Sequence, residues 1–219
     1  MPDLREAGIM RFHPSIYMAR RCGLVAILAV ATVGAQQRPA ATVSSGRITI
    51  AGTSNVHAYT ASTSSVRVVR IETAVTTNTA AFWEEIAAPG ALTAFEVAIP
   101  AASLVSVKDG LDKNMHKALK VEQHPDIVFR LSRFQPGTGG ALKALGMLKI
   151  AGVEREITFD VTRHASSSSL TVKGEVDLLM TDYGIAPPKA MLGMLKTDPK
   201  VKVAFEVVLS LPLVSAAFN

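Results

Sequence analysis

Between residues 200 and 211 the chain alternates strictly. Val201, Val203, Phe205, Val207, Leu209 and Leu211 fall on one face, and Lys200, Lys202, Glu206 and Ser210 on the other. A period of two places every apolar side chain on the same side of a β-strand, whereas a helix would scatter them. The pattern recurs over residues 47–51, 57–71 (long enough to need a bend), 92–99, 126–134, 142–150, 154–164 and 170–180. Phe95, Val97 and Ile99 form one stripe, Ile127, Phe129 and Leu131 a second, and Ile157, Phe159 and Val161 a third. Leu148 belongs to the strand between the last two, and Val172, Val176 and Leu178 mark the next strand, with Gly174 at its middle. About eight strands with one apolar face each bury those faces together by closing into an antiparallel barrel. That number is also the one whose interior is just filled by side chains or holds a single small ligand. The predicted class is all-β, with one or two short helices and a single domain.

The connections agree with this reading. Pro100 has no amide hydrogen to give to a ladder and ends a strand. Residues 135–140 read as a hairpin loop, 151–153 as a tight reversal and 166–169 as a solvated turn. One helical piece spans residues 80–87, with Phe82, Trp83 and Ile86. The other spans 111–121, where Leu111, Met115, Ala118 and Leu119 share a face and Lys113, His116, Lys117 and Lys120 point elsewhere. His124-Pro125 stops that helix and a strand resumes. Strand, basic amphipathic helix and returning strand make a unit that covers one end of a β-structure.

The residues of this unit are ordered as Ile99-Pro100, Ser103-Leu104, Ser106, Leu111-Asp112, Met115, Ala118-Leu119 and His124-Pro125-Asp126-Ile127-Val128-Phe129. Three further blocks accompany them: Gly52-Thr53-Ser54-Asn55-Val56-His57, the run from Gly146 to Ile157, and Met180-Thr181-Asp182-Tyr183-Gly184-Ile185. Together, over roughly residues 46 to 211, they resemble the YceI-like family. The resemblance implies a lipocalin-like barrel that holds a long isoprenoid or a similar amphiphile outside the cytoplasm. It also places His57 after the first strand, near the cavity, as a polar contact for a ligand head group.

The first 35 residues carry the layout of a secretory signal peptide. Arg20 and Arg21 precede an apolar run over residues 22–33, and Val33-Gly34-Ala35 offers small residues at the cleavage positions. Met18 makes a more typical start for such a leader than Met1. The expected organisation is a signal peptide over 1–35, a polar linker over 36–45 and the barrel over 46–212, with the mature protein periplasmic or secreted. Loss of the leader removes Cys22, the sole cysteine, so the mature chain forms no disulfide. Loss of its four basic and two acidic residues lowers the net charge from +5 to +3. So modest a charge argues against a nucleic-acid binder.

No residues spaced as metal ligands, no nucleophile elbow and no nucleotide-binding loop occur, so the expectation is a binding protein without a cofactor, not an enzyme. The candidate cavity residues are Phe95, Val97, Ile99, Ile127, Phe129, Leu131, Leu148, Ile157, Phe159, Val172, Val176, Leu178, Phe205 and Val207, with His57. The inward small residues Ala144, Gly146 and Gly174 favour a hollow interior over a filled one. Residues 187–195 place Met191, Leu192, Met194 and Leu195 between two strands, where a loop is usually polar, and read as a lid or a plug over one barrel end. The expected partners are an isoprenoid or similar lipid, an anionic membrane surface met transiently through Lys108, Lys113, Lys117 and Lys120, and a second copy of the chain in a homodimer. The rival readings are a binder of a fatty acid or amide, an enzyme acting on a bound lipid, and a filled barrel serving as an interaction module. Intact mass of the exported protein tests the leader: a mature chain beginning near Gln36 is expected, and retention of Cys22 would overturn it.

Overall fold

The computed structural model describes residues 41–73, 75, 81–86, 88, 90–190 and 195–211. Eleven strands form one antiparallel sheet: β1 (Thr42–Ser54), β2 (Ala58–Thr63), β3 (Arg67–Thr73), β4 (Leu92–Pro100), β5 (Val105–Ser106), β6 (Asp126–Pro136), β7 (Leu142–Ile150), β8 (Val153–Ala165), β9 (Ser169–Leu179), β10 (Lys189–Ala190) and β11 (Leu195–Ser210). Their spatial order is β3-β4-β6-β7-β8-β9-β11-β1-β2-β5, with β10 paired to β11. The sheet curls so that β1 approaches β3, giving the lipocalin-like barrel. Among the described residues two α-helices accompany it, α1 (Phe82–Ile86) and α2 (Asp109–Leu119).

Several boundaries differ from the sequence reading, among them the last strand, which begins at Leu195 and not at residue 200, and α2, which spans Asp109–Leu119 and not 111–121. Residues 42–45, expected in a linker, belong to β1, where they pair with the end of β11. Residues 57–71 are two strands. The chain breaks at Ser64–Val66, held by Ser65 N–H donating to Thr63 Oγ1 at 2.9 Å, and crosses from the β2 edge of the sheet to the β3 edge. Met180 ends no strand; it opens a 3₁₀ turn over Met180–Tyr183. The tight reversal at Ala151-Gly152 is as expected, with both residues in the left-handed region that a two-residue hairpin turn needs (φ 50° and 86°).

The interior has three layers. At one end Phe82, Trp83 and Ile86 of α1 pack against Leu170, Leu209 and Ala41. In the middle Leu142, Ala144 and Val161 meet Leu131, Phe134, Phe159 and Phe205. At the other end Leu119 of α2 and Tyr183 join Leu104, Ile127, Leu148, Ile150 and Leu178. Phe159 stands edge-on to Phe205 with ring centres 5.6 Å apart, and its centre is 5.4 Å from that of Phe129. Such aromatic contacts add to simple burial.

Two glycines make room for these rings. Gly174 pairs with Phe205 across β9 and β11 and with Val161 across β8, and a Cβ there would stand 2.6 Å from the Phe205 ring and 2.8 Å from the Asp160 carbonyl oxygen. Gly146 is likewise covered by the Phe129 ring at 2.7 Å. The space expected to be left open by Gly146 and Gly174 is therefore filled by phenylalanine, because an aromatic ring leans into the gap a missing side chain leaves beside it. Gly174→Ala should destabilise the protein by about 1–3 kcal/mol in urea denaturation, the usual cost of overpacking.

Candidate functional site

Inside the curled sheet lies a cavity of about 210 Å³. Its wall runs the length of the barrel, from Trp83, Leu170 and Leu209 at the α1 end to Leu104, Ile127 and Ile150 at the α2 end. So small a volume spread over so long a wall makes a slender tunnel. Among the described residues every lining side chain is apolar except Arg163. An apolar space of this kind stays dry. It offers a ligand burial and contact but almost no hydrogen bonding.

Phe95, Val97, Ile99, Ile127, Phe129, Leu131, Leu148, Ile157, Phe159, Val172, Val176, Leu178, Phe205 and Val207 all stand on this wall. Period-2 patterning brings them together because each occupies the inner face of its strand. His57 does not join them. It sits exposed in the turn between β1 and β2, where its amide donates to Ser54 Oγ at 3.1 Å and its carbonyl accepts from the same hydroxyl at 2.8 Å. Its position after the first strand puts it on the hairpin tip, outside the barrel. Met191 and Leu192, with Met194, lie outside the described residues. The backbone beside them forms the short β10–β11 hairpin, with Lys189 opposite Lys196.

Several wall residues escaped the sequence reading. Trp83 and Ile86, both 1% exposed, enter from α1, and Leu104, fully buried, enters from the turn before β5. The adjacent bulky pair Phe82-Trp83 in so short a helical piece was the available signal. Arg163 was legible too, since it continues the inner alternation Ile157, Phe159, Val161.

The α2 end is sealed by the residues that carry the family resemblance. Ser103 Oγ donates to the Pro100 carbonyl at 2.6 Å and shares a 2.8 Å hydrogen bond with Thr63 Oγ1. Ser106 N–H donates to Asp112 Oδ1 at 2.8 Å, and His116 Nε2 donates to the Leu104 carbonyl at 2.8 Å. The His124 ring packs on Gly152, where a Cβ would stand 2.5 Å from Nε2. On the other side Arg155 Nε donates to the Asp182 carbonyl at 2.9 Å, clasping the Met180–Tyr183 turn to β8. These contacts fix α2 so that Met115, Ala118 and Leu119 cover the tunnel's end.

A family model for the YceI-like domain matches residues 49–209. The chain belongs to the YceI-like family. Three solved structures share the fold. BcnA of Burkholderia cenocepacia is 14% identical over 74% of this chain and 95% of its own, with a TM-score of 0.58. A polyisoprenoid binding domain from Saccharophagus degradans implicated in plant cell wall breakdown is 14% identical over 80% of this chain and 100% of its own, also at 0.58. The YCEI protein of Campylobacter jejuni is 16% identical over 68% of this chain and 82% of its own, at 0.51. No curated protein matches the chain. Among the described residues no group of three or more His, Cys, Asp or Glu is placed to hold a metal ion, and no helix is long and apolar enough to cross a membrane.

Tyr183, in the Met180–Tyr183 turn, is 2% exposed and its hydroxyl has no partner among the described residues. Burial pushes it up to about 12 from its ordinary 10.0, and the Asp182 carboxylate adds to this while Arg155 opposes it. Since the unfolded state ionises first, stability from this group is whole below pH 10 and falls as the pH rises towards 12. Tyr183→Phe removes an unsatisfied buried hydroxyl and should raise stability by about 1 kcal/mol. It should also flatten the alkaline loss between those two pH values, measured by chemical denaturation across the range.

Proposed function

We propose that the protein is an exported carrier that holds one isoprenoid-type lipid chain, non-covalently, in the tunnel. The observation that carries this reading is the continuous apolar wall of the cavity, from α1 to α2. Burial contributes about 0.8 kcal/mol per CH₂, so a five-carbon isoprene unit contributes roughly 4 kcal/mol before the costs of ordering are met. Chain length, not head-group chemistry, therefore supplies most of the affinity. The family membership and the likeness to a polyisoprenoid binding domain support the same reading. Export rests on the leader pattern of residues 1–35, which lie outside the described residues.

The fourteen stripe residues are the proposed contacts, with Trp83 and Leu104 closing the two ends. The cavity lies below the ~300–1,000 Å³ usual for ligand clefts. Its apolar wall, running from α1 to α2, suits a single extended chain. The same geometry fits an acyl chain, which makes a fatty acid or amide carrier the second reading.

For delivery, α2 offers exposed Lys113 and Lys117, Lys120 follows at its C-terminal end, and the loop before it offers Lys108 beside Val107, which is 95% exposed. An apolar side chain flanked by cations suits transient contact with an anionic membrane surface.

Two measurements test the proposal. Phe205→Leu should lower Tm through its lost ring packing and also weaken binding of a polyprenol to delipidated protein; a fall in Tm with binding intact would make Phe205 plain core. Charge reversal at Lys113, Lys117 and Lys120 should slow lipid transfer from anionic vesicles and abolish its salt dependence, because such attraction is screened over roughly 10 Å at 0.1 M salt. An unaltered rate would assign this face to solvent alone.

A further inference from the structure

The barrel wall is not hydrogen-bonded throughout. The ladder between β8 and β9 runs from Ala165 opposite Leu170 to Val161 opposite Gly174 and stops there. Beyond it β8 keeps its pairing with β7 down to Val153, and β9 keeps its pairing with β11 out to Leu179. Residues 153–160 and 175–179 therefore form two strand edges with no ladder between them. This fork lies in the α2 half of the barrel, where Val153, Ile157 and Val176 pack against the core. The Met180–Tyr183 turn bounds its far end, held to β8 by Arg155 Nε donating to the Asp182 carbonyl at 2.9 Å.

The sequence supplies a reason for the fork. Continuing the register would set Asp160 opposite Glu175, and like charges directly opposite destabilise a ladder. Each carboxylate on the two edges is instead held by a lysine of the strand behind it: Asp160 by Lys143 of β7, and Glu175 and Asp177 by Lys202 and Lys200 of β11. Ile157, Phe159 and Val176 line the tunnel at the fork and are only half-buried, so side chains with no ladder between their strands separate the bore from solvent there. Where the strands part, an outer cleft of about 430 Å³ lies among Asp160, Thr162, Lys173 and Glu175. Phe205, whose ring lies over Gly174, lines both this cleft and the tunnel.

We propose that the fork between β8 and β9 is the portal through which a lipid chain enters and leaves the tunnel sideways. This rests on the lipid-carrier reading and gives the tunnel its route of exchange. Parting any two strands joined by a ladder breaks its hydrogen bonds and leaves backbone groups unpaired. At the ends of the tunnel α1 would have to withdraw the buried Phe82, Trp83 and Ile86, and α2 would have to withdraw Leu119. A second seam without a ladder among the described residues lies where β1 approaches β3. There the buried Val66 sits on Gly46, where a Cβ would stand 3.1 Å from it. At the fork no ladder and no helix has to yield, only side chains.

Thr158→Cys combined with Asp177→Cys, in a Cys22→Ser background, puts the only two thiols on opposite edges of the fork. Both positions are exposed, so the tunnel wall is untouched. The pair is bridged by oxidation, or by a short bis-maleimide where the Cα atoms stand further apart than the roughly 7 Å a disulfide spans. Binding of geranylgeraniol to delipidated protein, and its release, are followed by the fluorescence of Trp83, the sole tryptophan and a wall residue. Bridging should slow association and dissociation alike, each by about tenfold or more, at an unchanged Kd, because a route sets both rates and leaves the bound state alone. Reducing the disulfide should restore both rates. Arg155→Gln, which frees the far end of the fork, should speed both, again at an unchanged Kd. Unaltered rates in the bridged protein, rates indifferent to Arg155→Gln, or slower dissociation alone with a shifted Kd would overturn the portal while leaving the carrier intact. Failure of the unbridged protein to bind geranylgeraniol would instead overturn the carrier reading, and the portal with it.

Discussion

The structure depends on one constraint: a curled sheet whose inner face is lined by apolar side chains cannot hold water. Ordered water needs polar partners, and the wall has none until Arg163 at its mouth. The interior is therefore filled by side chains, by a ligand, or by both. Phe129, Phe159 and Phe205 fill the middle, leaning over Gly146 and Gly174. What remains is a narrow channel, and its narrowness follows from those rings.

Closure of the ends follows from the same constraint. An apolar bore left open would expose a large hydrophobic patch to solvent. α1 answers this at one end with Phe82, Trp83 and Ile86, each 1% exposed, and α2 answers it at the other with Leu119 over Leu104. Ser103, Ser106 and Asp112, which carry the family resemblance, together with His116, hold α2 and its flanking turns in place. They specify the barrel's architecture.

Much of this was legible in the chain, and the reason is physical. Where a strand faces solvent on one side and an apolar bore on the other, the alternation names its inner residues directly, as for Phe95, Val97 and Ile99 or for Val203, Phe205 and Val207. The break at Ser64–Val66 was not legible, since a strand that changes sheet edge keeps its alternation on both sides of the step. His57 misled because a position after a strand says nothing about whether the turn points inward. Gly146 and Gly174 misled because an absent side chain in one strand is filled from its neighbour, a cross-strand property that no single segment encodes. Trp83 was visible only as bulk in a short helix; its role as a wall residue depends on where the chain folds that helix back.

The central claim is that the tunnel is a lipid site and not merely a loosely filled core. Mass spectrometry of the organic extract of protein purified from its native host tests it most directly. The account predicts a near-equimolar single-chain lipid, isoprenoid in type, released only when the protein is denatured. An extract free of lipid, from protein that also binds no polyprenol after purification, would contradict it and leave a filled barrel whose surface does the work.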